Sequence, residues 1–122
     1  MNNPMTWLDA KNFCERLENS KLVEIDSEAE NSAISGEMHR IGSPDIWLGL
    51  SDRRREGNFV LESTGRSPSF TKWCCGGQPN NNNGGEDCAI IKSVPWNDWN
   101  DMDCNLSRHY WGKLSAICEI KQ

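Results

Sequence analysis

One stretch near the end of the chain decides how the sequence is interpreted: Trp96-Asn97-Asp98-Trp99-Asn100-Asp101-Met102-Asp103-Cys104. It contains the tripeptide Trp-Asn-Asp twice, and most of its side chains end in a carboxylate or an amide. Residues 76–87 are composed only of Gly, Gln, Pro, Asn, Glu and Asp. None of these side chains suits a hydrophobic core, and the Gly and Asn content makes ordering costly in entropy. We therefore expect something other than burial to order this loop.

Oxygen donors are concentrated in these two stretches. Carboxylate and amide oxygens are the ligands that Ca²⁺ prefers, at about 6–8 oxygens per ion. Mg²⁺ favours a tighter octahedral site with retained waters, so a mixed carboxylate and amide set favours Ca²⁺. A disulfide between Cys88 and Cys104, which bracket the acidic segments, would draw those segments together. The alternative is that the Asn, Gly and Asp runs are solvated turns.

Length and composition exclude several classes of protein. A chain of 122 residues predicts a single domain covering residues 1–122. Its 6 Trp argue against disorder, and no apolar run approaches the length of a membrane span, so we expect no membrane insertion. A net charge of −5 disfavours nucleic acid and anionic membranes as partners.

The 6 Cys predict an oxidising compartment, and therefore a secreted or extracellular protein. Their spacing contains no CxxC pair and no Cys/His cluster of the zinc type. Cysteine positions alone do not choose among the possible pairings. The adjacent Cys74 and Cys75 could close a vicinal ring, stay free, or pair with another chain to give a homodimer. The segment after Met1 lacks an apolar signal-peptide core, so we expect a mature fragment.

Local patterns predict two helices followed mainly by strands. Thr6 resembles a helix N-cap, and apolar residues then recur at helical spacing: Trp7, Ala10, Phe13, Cys14 and Leu17. Ser27 and Glu30 form a capping-box pattern, followed by the apolar positions Ala29, Ala33, Ile34 and Met38. Strands are predicted at 22–25, 46–50, 59–61, 88–91 and 114–120. The resulting class is α+β, with one long loop over a small sheet.

The chain resembles a C-type lectin-like domain over nearly its whole length. The matching positions occur in family order: Trp7, Cys14, 46–50, Glu56-Gly57, Trp73, Gln78-Pro79-Asn80, Glu86-Asp87-Cys88, 99–104 and 117–119. The resemblance implies the C-type lectin fold, with two helices, small antiparallel sheets and a long calcium-binding loop. It also implies the disulfides Cys14–Cys118 and Cys88–Cys104. The family usually starts with a strand, for which residues 1–5 are too short, so that strand is expected to be short or missing.

The same resemblance implies residues that hold calcium and sugar. The principal calcium site, which also binds sugar, maps onto Gln78, Asn80, Glu86, Asn100 and Asp101. The distance to Cys104 selects the second Trp-Asn-Asp motif. An auxiliary calcium site maps onto Asp52, Glu56, Asn81, Glu86 and Asp87. We expect the auxiliary site to be weak, because Asn81 stands where an acid is common and Arg53–Arg55 add positive charge.

The predicted function is calcium-dependent binding of glycans. The tripeptide Gln78-Pro79-Asn80 mixes the mannose-type and galactose-type versions of the family, leaving Glu86 and Asp101 as the carboxylates of the principal site. Fewer carboxylates predict weaker Ca²⁺ binding, and specificity is expected to be relaxed, leaning towards mannose, GlcNAc or fucose. The alternative is a calcium-independent protein-interaction or extracellular-matrix module. We expect no enzyme, since no catalytic constellation stands out. Asn105 begins an N-glycosylation sequon.

Overall fold

The computed structural model describes residues 5–55, 57–74, 87–93, 98–105 and 114–120. Two helices and seven strands occur within these ranges. Their bounds are α1 Trp7–Arg16, β1 Ser20–Leu22, α2 Glu28–Ile41, β2 Asp45–Ser51, β3 Val60–Leu61, β4 Cys88–Ile91, β5 Trp99–Met102, β6 Leu114–Ala116 and β7 Cys118–Ile120. The α+β class predicted from the sequence is confirmed.

The strands form two sheets. β1 and β7 pair as an antiparallel two-stranded sheet. The larger sheet has the order β3-β2-β4-β5, with antiparallel neighbours, and β6 pairs with the beginning of β2 in parallel. β5 is thereby placed beside β4, and the second Trp-Asn-Asp motif lies in a paired strand.

Both helices begin where capping was predicted. The Thr6 hydroxyl accepts from the backbone N–H of Asp9 at 3.1 Å, and the Ser27 hydroxyl accepts from that of Glu30 at 3.0 Å. The Glu30 carboxylate reaches back to the backbone N–H of Asp26 at 2.8 Å, one residue before the N-cap. α2 ends at Gly42, whose φ of 66° is a left-handed conformation that glycine adopts without steric cost.

The predicted apolar faces of the helices are partly wrong. Phe13 and Leu17 are 44% and 48% exposed, although they follow the helical spacing of Trp7, Ala10 and Cys14. In α2, Met38 is buried, but Ala29 and Ala33 are exposed and the polar Asn31 is buried instead. Periodicity identifies residues that share a face, but the neighbouring elements decide how much of that face is covered.

The final predicted strand is two strands. β6 pairs with β2 in the larger sheet, whereas β7 pairs with β1 in the smaller one. Ile117 lies between them, and its carbonyl accepts from the backbone N–H of Val23 at 3.0 Å. The segment therefore passes from one sheet to the other.

Every residue of β2 is buried, because the core lies on both faces of this strand. Ile46, Leu48 and Leu50 pack in one cluster with Val23, Met38 and Trp99. Trp47 packs in the other, with Trp7, Cys14 and Ile90. A strand covered on both faces has a nearly continuous apolar sequence, as residues 46–50 do.

Both disulfides implied by the family resemblance are present. Cys14–Cys118 joins α1 to β7 across a sequence separation of 104 residues. Cys88–Cys104 joins β4 to the segment after β5, with a separation of 16 residues. Cys74 is also disulfide-bonded, and Cys75 lies outside the described residues.

Candidate calcium and sugar site

β5 carries the two described members of the principal calcium set, Asn100 and Asp101. The strand pairs with β4 so that Ile90 faces Asn100 and Ala89 faces Asp101. Asp101 is buried, with 3% of its surface exposed. A carboxylate held in a buried position of a paired strand keeps little conformational freedom, which suits a metal ligand.

The amide oxygen of Asn100 fits a calcium ligand. Its Oδ1 atom is buried and accepts no hydrogen bond from the described part of the chain. A buried polar atom without a partner costs about 1–3 kcal/mol, so such an atom calls for an explanation, of which a bound ion is one. Ca²⁺ binds amide and carboxylate oxygens, and Asn100 offers the first at the position before Asp101 in β5.

Trp99 fixes the beginning of β5. Its indole N–H donates to Oδ1 of Asn31 on α2 at 2.8 Å, in a fully buried hydrogen bond. Phe70 and Trp73 contact the ring edge-on, with centroids 5.7 and 5.9 Å away. The sequence placed Trp99 in the core correctly, but it gave no indication of Asn31, a polar residue on an amphipathic helix.

We expect Trp99→Phe to lower the free energy of unfolding by roughly 2–4 kcal/mol, as measured by urea denaturation. The smaller ring leaves space in the core, and the carbonyl oxygen of Asn31 loses its buried donor. Adding Asn31→Leu should recover part of the loss, because no orphaned acceptor then remains. A Trp99→Phe variant as stable as the parent would show that this hydrogen bond does not hold β5.

Two members of the auxiliary set, Asp52 and Asp87, lie together. The backbone N–H of Asp52 donates to the carbonyl of Asp87 at 2.8 Å. Asp52 is 2% exposed, and its Oδ2 accepts from the backbone N–H of Gly57 at 2.8 Å. One carboxylate oxygen of Asp52 is therefore already used to hold the turn after β2.

The remaining predicted ligands lie outside the described residues: Gln78, Asn80, Asn81, Glu86 and Glu56. The same holds for Pro79, for the first Trp-Asn pair at 96–97 and for His109. Within the described ranges, no group of three or more His, Cys, Asp or Glu residues is arranged to hold a metal. The complete ligand sets therefore stay predictions, with Asn100, Asp101, Asp52 and Asp87 as their described members.

Two larger cavities, of about 430 and 340 Å³, are lined around Lys21 and Glu24, and no predicted calcium ligand lines either. The buried Glu24 accepts from the backbone N–H and hydroxyl of Ser63, both at 2.8 Å, and from Lys21 at 3.2 Å.

Burial lowers the pKa of Lys21, but the neighbouring carboxylates of Glu24 and Glu119 raise it by more, so the pKa is raised overall. Burial also raises the pKa of Glu119. These contacts tie β1 to β7 and to the turn after β3.

Comparison with known proteins agrees with the observed fold. The family model described as "Lectin C-type domain" matches residues 3–119. The chain belongs to the C-type lectin domain family. Among curated members, it is 30% identical to Salivary C-type lectin 1 of Aedes albopictus, over 93% of this chain and 74% of that protein. It is 32% identical to Echinoidin of Heliocidaris crassispina, over 95% of this chain and 83% of that protein.

Solved structures of C-type lectins share the fold. The C-type lectin CEL-I from Cucumaria echinata aligns with a TM-score of 0.75 at 30% identity, covering 85% of this chain and 79% of that one. The carbohydrate-recognition domain of the human scavenger receptor C-type lectin aligns with a TM-score of 0.75 at 33% identity, covering 97% and 84%. Across the described ranges, neither helix is long and apolar enough to cross a membrane.

Proposed function

We propose that the chain is an extracellular carbohydrate-binding domain that binds glycans through calcium held by Gln78, Asn80, Glu86, Asn100 and Asp101. The observation that carries this proposal is the buried Oδ1 of Asn100, which accepts no hydrogen bond from the described residues and belongs to the residue that precedes the buried Asp101. Named relatives of this family are lectins, which supports a sugar as the ligand. The disulfides support an oxidising, extracellular setting.

The proposed site divides sugar recognition between metal and side chains. When bound, Ca²⁺ would offer open coordination positions to two vicinal hydroxyls of a sugar. The amide NH₂ of Asn100 is a donor to a hydroxyl oxygen, and the carboxylate of Glu86 is an acceptor from a hydroxyl proton. β5 orients Asn100 before any ligand arrives, which reduces the entropy lost on binding.

Selectivity is proposed to be relaxed, with a preference for mannose, GlcNAc or fucose. Gln78, Asn80 and Asn100 all supply donors, whereas Glu86 is the main acceptor. Neither the mannose-type nor the galactose-type arrangement of sugar hydroxyls is therefore strongly favoured. Affinity for a single sugar should be weak, and several linked sites would raise avidity. A homodimer through Cys74 or Cys75 would be one way to link two sites, but Cys74 is already disulfide-bonded in the single chain, so that link would require this bond to exchange.

The auxiliary site is proposed as the weaker of the two calcium sites. Asp52 already uses Oδ2 to accept from the Gly57 backbone, which leaves it fewer oxygens for a metal. Arg53 follows it directly, and it lines the same cavity as Asp87. Both features reduce the attraction of this position for a second cation.

We expect the chain to bind immobilised mannose-, GlcNAc- or fucose-bearing glycans in millimolar Ca²⁺ and to lose that binding in EDTA. A glycan panel measured in both buffers tests this expectation, and the pattern of hits gives the selectivity of Gln78-Pro79-Asn80. Absence of binding in both buffers would favour a protein-interaction module. Binding that survives EDTA would contradict the proposed role of calcium.

A further inference from the structure

We propose that Arg53, Arg54 and Arg55 bind an anionic group, a sulfate or a carboxylate, on a glycan whose terminal sugar occupies the calcium site. We call these three residues the arginine turn. The inference rests on the proposed function, because it assigns the class of glycan that the same site selects. Its basis is a cluster of exposed cations, held by a hydrogen-bonded turn, in a chain with a net charge of −5.

Backbone hydrogen bonds and one buried carboxylate hold the arginine turn in place. The Arg55 N–H donates to the Asp52 carbonyl at 3.2 Å, and the Asn58 N–H donates to the Arg55 carbonyl at 2.9 Å. The carboxylate of Asp52 accepts from Gly57 inside the same turn. The three arginines are therefore presented from a fixed backbone, which lowers the entropic cost of binding.

Within the described residues, no acidic side chain forms an ion pair with these guanidinium groups. Ion pairs in the described ranges involve Lys11, Lys21, Arg40 and Lys92, and none involves the arginine turn. Arg53 lies over the ring of Trp7, 4.8 Å from its centroid. Arg54 lies against Gly65, where an added Cβ would be 2.7 Å from Nη1. Two of the three side chains are thus positioned without losing their charge.

Strand register places the arginine turn near the candidate sugar site. Ser51 at the end of β2 faces Cys88 in β4, which faces Met102 in β5, next to Asp101. Neighbouring strands are about 4.8 Å apart, so these two end positions are separated by roughly 10 Å. The arginine turn begins two residues beyond Ser51. An oligosaccharide, rather than a single sugar, would reach both places.

Arginine suits the proposed group. Its planar guanidinium donates paired hydrogen bonds to carboxylate and phosphate-like oxygens, and charge-assisted hydrogen bonds are stronger than neutral ones. Arg53 shares a cavity of about 280 Å³ with Asp87 and Asp103, which offset part of its charge. Arg54 and Arg55 do not line that cavity, and they are the better test of the inference.

The test compares a sulfated polysaccharide with the same polysaccharide after desulfation, both in Ca²⁺, and adds hyaluronan as a carboxylate-only probe. We expect the sulfated form to bind at least about tenfold more tightly than the desulfated form. Arg54→Gln/Arg55→Gln should reduce that advantage by about tenfold and leave neutral-glycan binding unchanged. Hyaluronan that binds as the sulfated form does would identify carboxylate as a sufficient anion.

The control is Arg16→Gln/Arg40→Gln, which removes the same charge from exposed positions on the helices. The inference is overturned if this control loses as much sulfate preference, or if desulfation changes nothing. A different result would contradict the proposed calcium site, namely that neutral glycans do not bind in Ca²⁺. Sulfate-dependent binding that persists in EDTA, and that Arg54→Gln/Arg55→Gln weakens, would support the arginine turn and contradict the calcium site.

Discussion

Replacing both Cys14 and Cys118 with alanine is expected to lower the free energy of unfolding by about 4–5 kcal/mol. The bond closes a loop of 104 residues, and the loss of stability on removing a cross-link grows with the loop it closes. Domains of this size are usually stable by only about 5–15 kcal/mol, so a loss of this size consumes much of the total. Urea denaturation of the oxidised proteins measures it.

The matched comparison is Cys88→Ala/Cys104→Ala, which opens a loop with a separation of only 16 residues. The same reasoning gives a smaller loss of about 3 kcal/mol. This short bridge joins β4 to the end of β5, so its removal should impair glycan binding even where the variant is still folded. If the short-loop variant proves the less stable of the two, loop closure does not explain the contribution of the long bridge.

Local sequence signals predicted the parts of the fold that depend on local chemistry. The N-caps at Thr6 and Ser27 are confirmed because a hydroxyl that can reach an unpaired backbone N–H needs only nearby residues. The strand at 46–50 is confirmed because a continuous apolar run is typical of a strand buried on both faces. These features carry their own physical cause within a few residues.

The wrong predictions concern residues whose pairing or burial depends on parts of the chain far away in sequence. Residues 114–120 look like one strand, but they divide because β2 and β1 each take part of them. Phe13 and Leu17 are exposed, so no element in the described part of the chain covers that side of α1. Asn31 is buried because its carbonyl oxygen meets the indole of Trp99, which is 68 residues away. Periodicity within one segment holds no information about such partners.

In the candidate site, too, the sequence indicated some features and not others. The family resemblance selected Asn100 and Asp101, and the structure places both on a paired strand, with the amide oxygen of Asn100 buried and without a hydrogen-bond partner among the described residues. From the sequence, the arginine turn was expected only to add positive charge near the auxiliary site, and the structure shows that all three arginines are exposed. What the sequence did not indicate is that Arg53 covers Trp7 and that Asp52 holds the whole turn from inside.

Asp101→Asn is expected to weaken calcium binding by on the order of 100-fold and to abolish glycan binding in millimolar Ca²⁺. The proposed set has only two carboxylates, Glu86 and Asp101, and the charge of the ligands tunes Ca²⁺ affinity strongly. Asparagine keeps the shape of the side chain, so the fold should survive. Calorimetric calcium titration measures the loss of calcium affinity, and a glycan-binding assay in millimolar Ca²⁺ measures the loss of glycan binding. The melting temperature in EDTA verifies that the fold survives.

The other Trp-Asn-Asp motif supplies the control. Asp98→Asn makes the same chemical change three residues earlier, at a residue whose backbone carbonyl accepts from Lys92 at 2.9 Å. Because a change of side chain leaves that backbone contact in place, we expect this variant to bind calcium and glycan as the parent does. Equal losses in both variants would mean that general acidity near β5 attracts the cation. A loss confined to Asp101→Asn would assign the metal to the second motif, where Asn100 presents its buried oxygen.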